Sequence, residues 1–181
     1  MRNTLLIASL LALPLAAHAA GFQLSSETIA DGKPLTARQV YQGFGCEGGN
    51  VSPQLSWRGA PAGTKSFAVT VYDPDAPTGS GWWHWTVVNL PANVHALPEG
   101  AGSAGGQLPA GAVQGRTDFG ESRFGGACPP VGDKPHRYQF TVWALKTDKL
   151  LVDANASGAL VGFMLNANAL AKASLTATYG R

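Results

Sequence analysis

Two histidines, two carboxylates and a tyrosine stand in three short segments whose residue types suit them to work together on a charged ligand. In residues 71–77, Val-Tyr-Asp-Pro-Asp-Ala-Pro, a β-branched run meets two carboxylates, Asp73 and Asp75, and prolines that forbid further ladder hydrogen bonds. Strand parity puts both carboxylates on one side if extended geometry holds that far. Taken alone, the segment also reads as an Asp/Pro turn whose carboxylates cap backbone amides. In residues 81–90, alternation sends Trp82, His84 and Thr86 to one face and Trp83, Trp85 and Val87 to the other. Residues 124–138 form a Gly- and Pro-rich loop, with Gly126 and Pro129, feeding a strand in which period two groups His136 with Tyr138. Arg137 then points away, toward a structural partner.

Two imidazoles, a phenol and glycine amides can give several donors to one anion, such as a phosphate or a carboxylate. An ionised Asp73 beside that anion would repel it unless the carboxylate has another task. It could orient an imidazole, take up a proton, or meet the positive end of a zwitterion; orientation is the favoured role. The rival chemistry is hydrolysis, by a metal site with open positions or by an acid/base pair. The sequence has no HExxH, no GxSxG and no poised serine or cysteine nucleophile. A metal site normally needs three convergent ligands, and His84, His136 and one Asp would supply no more than that minimum. Binding without catalytic residues, metal or cofactor is therefore the expectation, and a protease-inhibiting protein–protein module is a further alternative.

The elements that must position these residues are mostly strands. Runs rich in β-branched and aromatic residues at 66–72, 83–90 and 137–145 predict a central sheet, with shorter candidates at 22–25, 54–57 and 175–179. Apolar residues at helical spacing predict one helix over 157–172, with Asn155 or Ser157 as its cap. Residues 91–114 read as a long irregular loop. The fold class is mainly antiparallel β with a helix near the C-terminus. With 181 residues, 13 Lys+Arg against 11 Asp+Glu and Gly and Pro spread throughout, the chain shows no domain boundary and no nucleic-acid footprint.

A basic start, an apolar run over 5–17 and the small-x-small Ala17-His18-Ala19 predict a signal peptide over 1–19, leaving one domain over 20–181 that is periplasmic or secreted. Thirteen apolar residues interrupted by Pro14 fall short of the roughly 20 that a membrane span needs. In an exported chain, Cys46 and Cys128 are expected to pair; two free thiols beside the pocket are the alternative.

In Asp-Pro-Asp-Ala-Pro (73–77), Trp-x-His-x(3)-Val-Asn (82–89) and Pro-Pro-x-Gly-x(3)-His-Arg-Tyr (129–138), the chain resembles the phosphatidylethanolamine-binding proteins, most closely their bacterial YbhB/YbcL Raf-kinase-inhibitor-like group. The likeness runs from about Phe22 to Arg181, through residues 46–53 and 170–181. It implies a Greek-key β-sandwich with a small pocket for phosphate or phosphorylated head groups, formed here by Asp73, Asp75, His84, Gly126, Pro129, His136 and Tyr138. It also implies a cis peptide in the first motif, expected at Ala76-Pro77. The sequence ends directly after the last strand-like run, without the C-terminal helix of eukaryotic members. That departure, with export, argues against kinase inhibition and leaves apolar surface that a second subunit could cover.

Overall fold

A computed structural model describes residues 21–181; the expected leader over 1–19 lies outside the described residues. In chain order the elements are β1 (Gln23–Ser25), β2 (Gln42–Gly43), β3 (Cys46–Glu47), β4 (Leu55–Arg58), β5 (Ser66–Asp73), β6 (Trp82–Pro91), β7 (Ala96–Leu97), β8 (Val113–Gln114), β9 (His136–Leu145), α1 (Gly158–Asn168) and β10 (Ala169–Tyr179). Among the described residues, no helix is long and apolar enough to cross a membrane.

Five strands form an antiparallel sheet in the order β10-β9-β5-β6-β8, and β1-β4-β7 form a smaller antiparallel sheet. Within the large sheet, the run β9-β5-β6-β8 has Greek-key order, the chain leaving for β7 between β6 and β8. Period-two alternation along β5 and β9 explains the layering. Phe67, Val69 and Val71 of β5, with Tyr138, Phe140 and Val142 of β9, bury their side chains in one core with Leu55 and Trp57 of the small sheet. Ala68 and Trp143 turn to the opposite face, where Val161 and Leu165 of α1 cover them. Burying each large apolar side chain contributes roughly 1.5–3 kcal/mol.

The alternation expected for β6 breaks at His84. Tyr72 pairs with Trp83 but Val71 pairs with Trp85, so His84 is an extra residue, a β-bulge. Beyond it the parity inverts. Trp85 and Val87 join the inner core, while Val88 packs toward the helix. His84 and Trp85 therefore both face inward, and Trp83 packs on Tyr72 and into the space above Gly158 and Gly162.

The helix is shorter than its hydrophobic spacing predicts. Ser157 caps it, accepting the Leu160 N–H, but the backbone is already extended at Ala169, and residues 169–179 pair along β9. The alanines at 169, 171 and 173 are poor strand formers, and pairing with a full-length neighbour overrides their helical preference. The peptide bond at Ala76-Pro77 is trans, as are all others among the described residues. The expected cis bond is not adopted because the turn closes otherwise, with the Thr78 N–H donating to the Ala76 carbonyl at 2.8 Å and the Asp75 N–H to Asp73 Oδ1 at 2.8 Å.

Candidate binding site

Antiparallel pairing brings the C-terminal end of β5 beside the N-terminal ends of β6 and β9, so that Asp73, Trp82, His84, His136 and Tyr138 meet at one end of the sandwich. There they line a cavity of about 210 Å³, completed by Phe44, Pro77, Phe119 and Pro129 from loops. Larger hollows of 440 to 570 Å³ lie on the surface; those around Phe22 and Arg58 and around Leu151 and Leu160 have no histidine in their walls, and one of 440 Å³ beside Asp75 and Arg137 has His136 but not His84. The chemistry, not the volume, marks the smaller cavity.

His84 is buried, and its Nδ1 lies 2.8 Å from the Gly125 carbonyl, which can only accept. The proton is therefore on Nδ1, and Nε2 of the neutral ring carries a lone pair. Burial holds the His84 pKa below the usual imidazole value, against the opposing pull of the Gly125 carbonyl and of Asp73. The ring meets Tyr138 and Phe119 edge to face, with centroids 5.1 and 5.3 Å away.

His136 has the opposite electrostatics. Its Nδ1–H donates to Asp73 Oδ2 at 2.8 Å, and Nε2 faces Asp133 Oδ2 at 3.3 Å. Burial is the largest single influence and disfavours the imidazolium, but the bonds and charges of Asp73 and Asp133 together outweigh it and raise the pKa. Asp73 has both oxygens engaged, Oδ2 with His136 and Oδ1 with the Asp75 N–H.

Tyr138 and Trp82 complete the polar wall. The Tyr138 hydroxyl and the Trp82 indole N–H are both buried, and neither has a hydrogen-bond partner. Burial, then the nearby Asp73 charge, raise the Tyr138 pKa and keep its hydroxyl protonated.

The remaining expected residues fall in different places. Pro129 lines the cavity. Asp75 lies outside the wall, because β5 ends at Asp73 and the chain turns. Its carboxylate accepts from the Arg137 backbone N–H, Nε and Nη2 at 2.9, 2.9 and 2.7 Å. Arg137 thus takes the structural pairing that alternation predicts for it. Gly126 stands behind the wall, its N–H donating to Asn50 Oδ1 at 2.7 Å. A Cβ there would lie 2.2 Å from the Gln39 carbonyl oxygen, so only glycine permits the approach that puts the Gly125 carbonyl against His84. Cys46 and Cys128 form a disulfide with Cα atoms 5.9 Å apart, and Cys128 is part of the cavity wall.

Trp82, Phe119, Phe44, Asn50 and Asp133 were not among the sequence candidates. Trp82 had a signal in its parity with His84. The others sit in irregular loops, where period carries no information about what a side chain faces. Among the described residues no three His, Cys, Asp or Glu side chains converge in a metal-binding group.

The fold and the cavity together define a Greek-key β-sandwich with a ligand-sized hollow at its strand ends. The family model described as phosphatidylethanolamine-binding protein matches residues 25–180, and the chain belongs to that family. It is similar to the YbcL protein of Escherichia coli, 65% identical over 179 residues and covering 98% of each chain, and to YbhB of the same organism, 54% identical over 87% of this chain and 99% of that protein. The crystal structure of E. coli YbcL superposes with a TM-score of 0.88 at 67% identity, covering 90% of this chain and 99% of the other. A more distant relative is a Mycobacterium tuberculosis protein named "Putative lipoprotein LppC", 33% identical over 86% of this chain and 71% of that protein.

Proposed function

We propose that the protein binds a small anion in this cavity, either phosphate or the phosphorylated or carboxylate head group of a larger molecule, on the far side of a membrane after losing its leader. The observation that carries the reading is the pair of buried, unpartnered donors, the Tyr138 hydroxyl and the Trp82 indole N–H, on the wall that also holds both histidines. A buried donor without a partner costs about 1–3 kcal/mol, and an anion accepting from both offsets that cost. Binding is favoured over turnover because the one cysteine in the cavity wall, Cys128, is tied up in the disulfide, no serine lines the cavity, and among the described residues no three metal-ligating side chains converge. The disulfide and the likeness to a protein named as a lipoprotein support export.

His84 gives the reading its pH dependence. In the free protein burial depresses its pKa, and Nε2 offers an anion only a lone pair. An anion beside the ring favours the imidazolium and raises that pKa, so binding takes up a proton. Affinity then rises as pH falls from the raised value in the complex toward the depressed value in the free protein. Titration calorimetry at pH 5.5 and pH 8, with sulfate beside phosphate to separate the ligand's own titration, is expected to show tighter binding at pH 5.5. Equal or reversed affinity for both ions would remove this mechanism.

A further inference from the structure

We infer that Arg181 is a positioning residue that sets the aperture of the cavity, an inference that rests on reading the cavity as the anion site. Two lips bound the opening. One is the turn between β2 and β3, which carries Phe44; the other is the segment Cys128-Pro129-Pro130. The β2–β3 ribbon has only two paired positions, Gln42 with Glu47 and Gly43 with Cys46, and a ribbon that short is marginal by itself. Phe44 at its tip has φ 53° and is 69% exposed as a residue, and its ring leans on Tyr41 and Phe119 at centroid distances of 5.6 and 5.9 Å.

Two links cross between the lips. The disulfide joins them at Cys46, two residues past Phe44. The guanidinium of Arg181 reaches the tip: its Nε–H donates to the Pro129 carbonyl at 2.7 Å, Nη1–H to the Gly45 carbonyl at 2.8 Å and Nη2–H to the Phe44 carbonyl at 3.4 Å. Arg181 is itself held, its carbonyl accepting the Gly132 N–H at 3.0 Å. A planar fork with five donors can serve three carbonyls on two loops at once, which a lysine ammonium on a flexible stem cannot reproduce. The disulfide sets how far apart the lips can move, and Arg181 sets where the Phe44 ring stands over the opening. The consequence is selectivity by ligand size.

The test uses Arg181→Gln, Arg181→Lys and the unsubstituted protein, all with the disulfide intact. Calorimetry compares inorganic phosphate with the bulkier phenyl phosphate, and amide hydrogen exchange follows residues 43–47 and 129–132 without ligand. A clamp predicts that both substitutions speed exchange in those two segments and shift the affinity ratio toward phenyl phosphate roughly fivefold, the scale of one ordinary hydrogen bond. If Arg181→Lys keeps the original ratio, Arg181 acts by its charge on the anion and the positioning role is overturned. Unchanged exchange in both variants overturns the clamp itself. Absence of phosphate binding by the unsubstituted protein removes the anion-site reading and with it the selectivity, while the exchange result still decides whether Arg181 joins the lips.

Discussion

Replacing Tyr138 by Phe removes one oxygen from a buried ring and should move stability and affinity in opposite directions. The hydroxyl is buried and unpartnered, while the ring is packed within the main core. Leaving such a group unsatisfied costs the free protein about 1–3 kcal/mol. Deleting it without changing the ring's shape is expected to stabilise the ligand-free protein by about 1 kcal/mol, raising the melting temperature by roughly 2–4 °C for a domain of this size. With an anion bound, the same hydroxyl donates a charge-assisted hydrogen bond of about 1.5–3 kcal/mol. Its loss should weaken phosphate binding roughly tenfold to a hundredfold. Calorimetric melting without ligand and isothermal titration with phosphate measure both quantities on one sample. A structural hydroxyl would cost stability when removed, and a hydroxyl remote from the ligand would leave affinity unchanged; either result refutes the reasoning.

Other substitutions separate the wall of the cavity from its supports. Asp75→Asn should leave phosphate affinity within about twofold, because the carboxylate pairs with Arg137 outside the wall; a tenfold loss by titration would return Asp75 to the site. That pair is solvent-exposed and should be worth below about 1 kcal/mol. Arg137, chiefly through its hydrogen bonds, holds the Asp75 pKa below its ordinary value, so the contribution is present at neutral pH and fades as pH falls below 3.8 toward the lowered value, which denaturation at graded pH can follow. Gly126→Ala forces a Cβ against the Gln39 carbonyl and should cost about 3 kcal/mol or more by urea denaturation; a neutral outcome would show that the 39–41 backbone yields. Replacing both cysteines with serine should cost up to roughly 4.5 kcal/mol, the chain-entropy value for a separation of 82 residues. Intact mass before and after reduction of the native protein checks the bond itself.

Residue pattern alone specified the strong elements and the polar cast. β-branched runs located β5, β6 and β9 to within a residue or so, and period two correctly set His136 and Tyr138 against Arg137, because strand geometry is local. The cysteine pair followed from count and from the expectation of export. Tertiary structure decided the rest. The bulge at His84 is invisible in the alternation of 81–90, since it arises from pairing with β5, and it turns both His84 and Trp85 inward. Asp75 left the cavity because a turn, not a strand, follows Asp73, and its outcome depended on an arginine 62 residues away. Residues 169–172 became strand because β9 offered a full-length partner. Helical spacing describes only what a segment can bury, whereas pairing depends on which other segment arrives beside it.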